Sequence, residues 1–280
     1  MALNPMEAPY SAIAEAFDVI ASNYDATYGP GANQLMAWMR DENLSLLQAT
    51  FPPGFHLLEI GCGTGDEAIA LAQHGCRVTA TDISPAMVNI TREKAESAGL
   101  SDHISAMSLP AARLQELGSA KSFDGAYASF GSLNCEPDLE GLAAALASLL
   151  SPGAFFVCSI MPRFSLFETL WFLAHGRPVE AFRRRKPGWQ QASITTQGSG
   201  SVEVPVRYLS TSDLTKRFGS SFVLQQAISL GLVLPPPYLD DIYRNNRRFW
   251  DRLVPLEYRL RDSWPWKHFG DHIVLKMQKI

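Results

Sequence analysis

The sequence is poor in cysteine, and its cysteines form no recognisable pattern. Only Cys62, Cys76, Cys135 and Cys158 occur among 280 residues, and none belongs to a C-x-x-C pair. No His and Cys cluster has the spacing of zinc ligands, so no metal site is predicted. Scattered single cysteines among apolar residues indicate reduced thiols, which favours a cytoplasmic location.

Long apolar runs are also absent. The best candidate, residues 166–174, contains Glu168 and is much shorter than the roughly 20 residues that span a bilayer. The first twenty residues carry three acids and lack the basic start and apolar run of a secretory signal. We therefore expect no membrane span.

An excess of positive charge is missing, since 24 Lys and Arg stand against 28 Asp and Glu. This balance argues against a large phosphate-backbone footprint, so we expect no nucleic-acid partner. The densest basic stretch, residues 183–186, is interpreted as a solvated helix end, with binding of phosphate or lipid headgroups as the alternative. The oligomeric state is left open.

What the sequence does contain is a regular alternation of strands and helices. Apolar runs predict strands over 56–60, 77–81, 103–107, 124–128 and 154–160, and helices are predicted over 66–74, 85–98 and 138–150. Two amphipathic helices are expected before them, over 11–22 and 33–49. Such alternation predicts an α/β fold whose parallel sheet carries helices on both faces and binds ligands at the carboxyl ends of its strands.

After residue 160 this alternation breaks down into two insertions rich in aromatic residues. One or two helices are predicted over 164–186, a hairpin over 191–209 and a longer helix over 240–261, while 222–230 and 271–277 predict two more strands. The expected division is an N-terminal and ligand-binding core over 1–160, a cap insertion over 161–210, the end of the core sheet over 211–230 and 268–280, and a second cap insertion over 231–267.

The most informative segment is Leu57-Leu-Glu-Ile-Gly-Cys-Gly-Thr-Gly65, an apolar strand that runs into a glycine turn before a helix. Glycine allows a tight turn and lets a ligand approach the main chain. The helix N-terminus adds free N–H groups and partial positive charge. The G-x-G-x-G spacing differs from the dinucleotide pattern, and Glu59 would repel a pyrophosphate while suiting a ligand that bears an amino group.

A second acid, Asp82, ends the second strand in Thr79-Ala-Thr-Asp82. In a parallel sheet this position faces the ribose hydroxyls of a ligand that lies over the first glycine turn. The turn and Asp82 together predict a nucleoside-binding site, with NAD as an alternative ligand.

These residues resemble motifs I and II of the class I S-adenosylmethionine-dependent methyltransferases. Phe123-Asp124-Gly-Ala-Tyr and Leu150-Ser-Pro-Gly153 are also typical of that family, and the resemblance covers about residues 10–160 and the last strand. Ser129-Phe-Gly-Ser-Leu-Asn134 and Gly270-Asp-His272 make the chain similar to a bacterial subgroup that acts on small molecules. The resemblance implies a seven-stranded, mostly parallel Rossmann-like sheet whose last strand is antiparallel, with a helical and hairpin cap from the two insertions.

The resemblance also implies S-adenosyl-L-methionine as the cofactor and assigns roles by position. Glu59 and the Gly61–Gly65 turn would hold the methionine end, Asp82 the ribose, and Tyr24 the cofactor carboxylate. No acid follows the third strand, so the main chain near Leu109 is expected to hold the adenine. The complete set of expected cofactor contacts is Tyr24, Glu59, Gly61, Cys62, Gly63, Thr64, Gly65, Asp82, Ile83, Met87, Leu109, Ser129 and Phe130. The alternatives are that Glu59 only caps the loop and that Tyr24 and Tyr28 only pack on the surface.

Candidate catalytic residues follow from the antiparallel last strand, because its beginning lies beside the ends of the others. This places Asp271 and His272 near the ligand edge, with His272 as a possible general base, and Arg163 follows the fifth strand. Structural roles for all three are the alternative. The aromatic insertions indicate a small, largely apolar methyl acceptor. Two other functions stay open: a rearrangement that uses bound cofactor without transfer, and a cofactor sensor.

Overall fold

The alternating segments fold into one seven-stranded sheet, as the sequence predicts. The computed structural model describes residues 7–29, 31–118, 122–196 and 200–280. The strands are β1 (His56–Ile60), β2 (Arg77–Asp82), β3 (Ile104–Ser108), β4 (Phe123–Ala128), β5 (Leu150–Ile160), β6 (Gln190–Thr196), β7 (Gly200–Val206), β8 (Phe222–Leu230) and β9 (His272–Lys279). The sheet order is β3-β2-β1-β4-β5-β9-β8, and β9 runs antiparallel to both of its neighbours.

Helices cover both faces of this sheet. They are α1 (Glu7–Tyr28), α2 (Gln34–Thr50), α3 (Asp66–Gln73), α4 (Pro85–Ser97), α5 (Leu139–Leu149), α6 (Leu166–Ala174), α7 (Pro178–Ala181), α8 (Thr211–Phe218), α9 (Asp240–Asn245), α10 (Arg247–Asp251) and α11 (Val254–Leu260). Short 3₁₀ turns occur at Ala111–Leu117, Ser132–Asn134, Arg183–Arg185, Pro237–Leu239 and Trp266–His268. None of the helices described is long and apolar enough to cross a membrane.

Successive residues of the central strands pack into two separate hydrophobic layers, one on each face of the sheet. Leu58 and Phe156 pack with α5 and α8 on one face, whereas Leu57 and Val157 pack with α2, α3 and α4 on the other. This alternation follows from the pleat, which sends successive side chains to opposite faces. The prediction of helices on both faces is confirmed.

The helix starts show why the segments fold where the sequence indicates. Ser84 caps α4 by accepting a hydrogen bond from the Met87 amide, with Pro85 in the first turn. Asn33 caps α2 in the same way through the Met36 amide at 2.8 Å. Both caps fix helices that lead into the ligand edge.

Three predicted boundaries were wrong. The first helix does not end near Ser22 but continues to Tyr28. The fifth strand begins at Leu150 rather than at 154. The helix predicted over 240–261 is three short helices. Pro255 cannot occupy a helix interior and opens α11, while Asn246, in a non-helical conformation at φ −130°, separates α9 from α10. The predicted hairpin is present as β6 and β7, although its turn at 197–199 lies outside the described residues.

Helix α1 lies across the ligand edge of the sheet. Its Ile20 and Ala21 pack on Met87 of α4, while Ala16 packs on Val204 and Val206 of β7. The β6–β7 hairpin and α1 therefore form one cover over the carboxyl ends of β1 and β2.

Candidate functional site

The strand register brings the predicted site residues to one edge. Ile60 of β1 pairs with Thr81 of β2, so the glycine turn and Asp82 leave adjacent strands side by side. At the other side of the edge, Ile273 of β9 pairs with Ile160 of β5. The antiparallel direction of β9 thus puts its first residue, His272, beside the strand ends, as the sequence predicts.

The glycine turn contains three residues in the left-handed region, at φ values of +71° for Gly61, +54° for Gly63 and +86° for Gly65. A Cβ on Gly61 would lie 2.5 Å from Ser132 Cβ, and one on Gly65 would lie 2.7 Å from Thr91 Cγ2. A Cβ on Gly63 would meet nothing within 4 Å. Packing therefore explains Gly61 and Gly65, whereas Gly63 has open space where a side chain would stand. Its own N–H donates to Asp82, and its carbonyl accepts a hydrogen bond of 2.9 Å from Thr91 Oγ1.

Asp82 joins the two predicted halves of the site. Its Oδ2 accepts a hydrogen bond of 2.9 Å from the Gly63 amide, and its Oδ1 accepts one of 2.8 Å from the Ser84 amide. Burial raises the pKa of Asp82, while these two amides act in the opposite direction. The Leu109 amide donates a hydrogen bond of 2.9 Å to the Asp82 carbonyl, which places the end of β3 beside the end of β2.

Glu59 lies beneath the turn and is only 1 % exposed. Among the described residues, its Oε2 has no hydrogen-bond partner. Burial and the nearby Glu67 raise the pKa of this carboxyl well above its ordinary value. The buried Tyr127 hydroxyl is close enough to interact with this carboxyl. Because a buried polar atom without a partner is costly, Glu59 can accept from Tyr127 or from a donor that enters with a ligand or water.

Helix α1 is tied to the site by two acids. Asp18 accepts hydrogen bonds of 2.5 Å from Ser84 Oγ and 3.1 Å from the Ala86 amide. Asp25 accepts a hydrogen bond of 2.6 Å from Thr64 Oγ1 and forms an ion pair with Lys94 at 2.6 Å. These contacts explain why the helix continues beyond Ser22, since tertiary partners override weak local propensity.

Side chains expected near the cofactor lie under this cover. Tyr24 is half-buried, with its ring centroid 5.1 Å from that of Tyr28. Met87 is 1 % exposed and packs against α1, while Ile83 is half-buried. Cys62 is buried with its Sγ 3.7 Å from Thr91 Oγ1, so its side chain packs inward, and its amide and carbonyl are bonded to Thr81 and Gly65.

The exit of β4 is held from three sides. Ser129 Oγ accepts 3.0 Å from Asn43 of α2, and the Phe130 amide donates 2.5 Å to Ser159 Oγ. Phe130 has φ +48°, which is unusual for a residue with a side chain and marks functional sites when it persists. The Phe130 ring meets the His272 ring edge-on at 5.7 Å, which connects the β4 exit with the start of β9.

His272 belongs to a buried charge network that sequence reasoning missed. Its Nδ1 lies 2.9 Å from Asp271 Oδ2, while Asp271 Oδ1 pairs with Arg184 at 2.5 Å. Arg184 also pairs with Glu168 of α6 at 2.6 Å. Burial opposes ionisation of Asp271, but Arg184 and His272 hold its pKa below the usual range. Arg184 and Glu168 of the cap are thereby connected directly to the Asp271–His272 pair.

Arg163 is on the predicted edge but has partners of its own. Its Nη2 lies 3.2 Å from Asp213, and its Nε donates 3.2 Å to the Tyr208 carbonyl. Asp213 also forms the capping box of α8 with Ser210. The structure thus gives Arg163 an acid partner, which agrees with the structural alternative, and a role in catalysis stays a prediction.

Two polar residues of α2 also reach the site without having been predicted. Arg40 is buried and pairs with Glu67 and Asp66, each at 3.0 Å, and its guanidinium lies 6.0 Å from the Phe130 ring. Asn43, three residues on, holds Ser129. The available signal was a pair of polar residues at i and i+3 on an otherwise apolar helix face.

The donor set fits the cofactor that the resemblance implies. Gly63 leaves open space above the turn, Asp82 offers a buried carboxylate for hydroxyl groups, and Glu59 offers a second buried carboxyl for an amino group. Met87 and Ile83 supply apolar contact at the neighbouring corner. Nothing here suits a pyrophosphate, because Glu59, Glu67 and Asp82 lie under or beside the turn.

Comparison with known proteins agrees with this geometry. Residues 57–153 match the family model described as a methyltransferase domain. A demethylmenaquinone methyltransferase of Symbiobacterium thermophilum is 30 % identical over 158 residues, which cover 52 % of this chain and 57 % of that protein. An S-adenosyl-L-methionine-dependent Diels-Alderase, iccD of Talaromyces variabilis, is 32 % identical over 169 residues, which cover 60 % of this chain and 49 % of the Diels-Alderase. The chain therefore spans about half the length of these curated relatives.

Solved structures match over almost the whole chain. The [4+2]-cyclase SpnF has a TM-score of 0.63 at 14 % identity and covers 95 % of both chains. Geranyl diphosphate C-methyltransferase from Streptomyces coelicolor A3(2) has a TM-score of 0.61 at 12 % identity and covers 100 % of both chains. At such low identity these two structures establish the fold and nothing more.

Proposed function

Because the chain belongs to the class I S-adenosylmethionine-dependent methyltransferases, we propose that it transfers the methyl group of S-adenosylmethionine to a small, largely apolar molecule. The observation that carries the proposal is the hydrogen bond between the Asp82 carboxylate and the Gly63 amide. It places the carboxylate that ends β2 against the glycine turn that follows β1, at the edge where this fold binds ligands.

We assign the cofactor contacts to the residues around that bond. Asp82 accepts the ribose hydroxyl groups, Glu59 and the Gly61–Gly65 turn hold the amino-acid end, and Tyr24 covers it from α1. Ile83, Met87 and the main chain at Leu109 border the adenine, while Ser129 and Phe130 face the centre of the site. Residues 1–160, 211–230 and 268–280 would form this core, with 161–210 and 231–267 as the cap.

The bound cofactor supplies a methyl group already activated on a sulfonium, so the protein mainly aligns the acceptor and excludes water. Alignment alone is worth roughly 7–11 kcal/mol. Helix α1, the β6–β7 hairpin and the cap close the edge from above. Asp271 fixes Nδ1 of His272, which leaves Nε2 to take a proton from the acceptor.

The apolar acceptor is proposed from the composition of the cap. Phe167 stacks on Trp171 at 5.9 Å and meets Trp250 at 5.6 Å, so aromatic rings run through both insertions. The demethylmenaquinone methyltransferase relative is named for an apolar quinone. A cytoplasmic location and the lack of a nucleic-acid partner, both predicted from the sequence, remain part of the proposal.

A second function has specific support. The iccD relative is named as a Diels-Alderase that depends on S-adenosyl-L-methionine. The same site would then bind the cofactor for electrostatic help in a ring-forming reaction, without transfer of its methyl group. The cofactor contacts are the same in both proposals, and only the fate of the methyl group differs.

One experiment separates the two functions. The protein is incubated with methyl-labelled S-adenosylmethionine and a bacterial metabolite extract, and both S-adenosylhomocysteine and labelled products are measured. Transfer predicts stoichiometric release of S-adenosylhomocysteine and labelled product. If a metabolite is converted but neither labelled product nor S-adenosylhomocysteine is formed, the second function replaces methyl transfer. Binding of the cofactor without conversion of any metabolite would indicate a sensor.

A further inference from the structure

The two cap insertions carry a charge opposite to that of the rest of the chain. Residues 161–210 and 231–267 contain 14 of the 24 Lys and Arg but only eight of the 28 Asp and Glu. The remaining residues therefore hold 10 basic side chains against 20 acidic ones. A cap whose only task were to cover an apolar substrate would not need this asymmetry.

Much of this positive charge borders one shallow recess. Arg244, Arg247, Arg248 and Arg252, together with Asn245, Asn246 and Phe249, surround a surface volume of about 490 Å³ on α9 and α10. Arg247 pairs with Asp251 at 3.4 Å. Across the described ranges, no carboxylate lies within ion-pair distance of Arg244, Arg248 or Arg252, and all three are exposed.

Large apolar side chains are exposed on α10, beside these arginines, and on the neighbouring helix α6. Leu170 is 58 % exposed, Leu173 is 44 % exposed and Phe249 is 54 % exposed. Leu170 and Leu173 share the outer side of α6, since Thr169 and Phe172 between and beside them are buried.

Ring contacts join α6 and α10 into one body. Phe167 of α6 meets Trp250 of α10 at 5.6 Å, and Phe249 packs on Trp250 at 4.9 Å. We call the exposed side chains of Leu170, Leu173, Arg244, Arg248, Phe249 and Arg252 the cap face. Its apolar and basic members therefore lie on adjoining helices.

We propose that the cap face docks on an anionic lipid bilayer. Guanidinium groups would contact phosphate headgroups while Leu170, Leu173 and Phe249 enter the boundary with the acyl chains, the pattern of interfacial membrane proteins. A second copy of the same face is a poorer partner, because two arginine clusters repel each other. This binding does not depend on methyl transfer.

Vesicle sedimentation tests the proposal. We expect the protein to sediment with phosphatidylcholine vesicles that contain phosphatidylglycerol and much less with phosphatidylcholine alone. The double variant Arg244→Gln/Arg248→Gln should lower the partition coefficient about 25-fold, since each basic residue near an anionic surface contributes roughly fivefold. Leu170→Gln/Leu173→Gln should lower it about tenfold through lost burial of apolar surface.

The matched control is Arg77→Gln/Lys216→Gln, which removes the same charge from exposed positions outside the cap. It should change the partition coefficient by no more than about twofold, because the surface potential acts only within a Debye length. Equal sedimentation with both vesicle types, or an equal loss in the control, would overturn the proposal. So would a stable dimer in solution that the Leu170→Gln/Leu173→Gln variant dissociates, since the face would then serve self-association.

Discussion

Nδ1 of His272 lies 2.9 Å from Asp271 Oδ2, at the start of the antiparallel strand β9, which begins beside the carboxyl ends of the parallel strands. With this nitrogen committed to the carboxylate, Nε2 is the ring atom available for proton transfer. The Phe130 ring packs edge-on against the imidazole at 5.7 Å and holds it next to the β4 exit.

This arrangement predicts that His272→Ala lowers methyl transfer by a factor of roughly 10² to 10⁴, the usual contribution of a positioned acid or base. Binding of S-adenosylmethionine should be unchanged, because His272 serves the acceptor. The measurement is release of S-adenosylhomocysteine during turnover. His175→Ala, at an exposed position on the cap, is the control, and full turnover by His272→Ala would remove the histidine from the mechanism.

Arg184 should matter for stability more than any other cap residue named here. It is the shared partner of Glu168 and Asp271, and all three side chains are buried. Arg184→Met would leave two carboxylates without this partner, which typically costs about 3–5 kcal/mol. The free energy of unfolding in urea measures the loss.

Arg183→Met is the matched control for that variant. Arg183 pairs with the same Glu168 at 2.8 Å, but its side chain is 41 % exposed. Exposed pairs contribute about 0–1 kcal/mol, so this variant should remain close to the wild-type stability. Equal losses in the two variants would show that burial of Arg184 does not set its contribution.

Local patterns were sufficient to predict the glycine turn and the strand ends beside it. Strands β1 and β8 have the predicted bounds, and the turn with Asp82 forms because glycine conformations and strand ends are encoded within a few residues. Hydrophobic periodicity and caps act over the same short range.

The rest depends on contacts between distant segments. Arg184 meets Asp271 across 87 residues, and no spacing in the sequence records such a pair. Helix α1 outlasts its predicted end because Asp25 meets Thr64 and Lys94. Pro255, in contrast, was a local signal that the prediction of one long helix overlooked.

Gly63 and Gly99 offer a direct test of whether the cofactor occupies the open space beside Gly63 in the turn. Both have positive φ, +54° and +68°, and a Cβ on either would meet nothing within 4 Å. Alanine should therefore cost each a similar strain of about 1–2 kcal/mol. Only Gly63→Ala should weaken the binding of S-adenosylmethionine, by about tenfold or more, since the loss of a contact worth 1.4 kcal/mol lowers the affinity tenfold. Calorimetry on both variants measures this, and equal affinities would place the cofactor away from Gly63.

Glu136 predicts a specific pH dependence of stability. Burial raises its pKa from 4.5 to about 7, while hydrogen bonds from Tyr10 and the Asp138 amide act in the opposite direction. A carboxyl with a raised folded-state pKa stabilises the fold fully below its unfolded pKa and loses that contribution as the pH rises to 7. The difference amounts to about 3 kcal/mol.

Comparison with Glu136→Gln isolates this group, because the amide keeps an acceptor for Tyr10 but does not titrate. Between pH 4.5 and 7, the free energy of unfolding of the wild type should fall relative to that of the variant. Denaturant titrations at several pH values provide the measurement. A constant difference across this range would mean that Glu136 ionises normally in the folded protein.

The most direct test of the whole account is calorimetric binding of S-adenosylmethionine, S-adenosylhomocysteine and NAD to the wild type and to Asp82→Ala. The account predicts that the first two ligands bind and NAD does not, and that Asp82→Ala weakens both roughly 10- to 150-fold, the value of one hydrogen bond to a charged group. Asp102→Asn, at an exposed turn, should bind like the wild type. Failure of the wild type to bind either adenosyl ligand, or undiminished binding by Asp82→Ala, would contradict the assignment of the site.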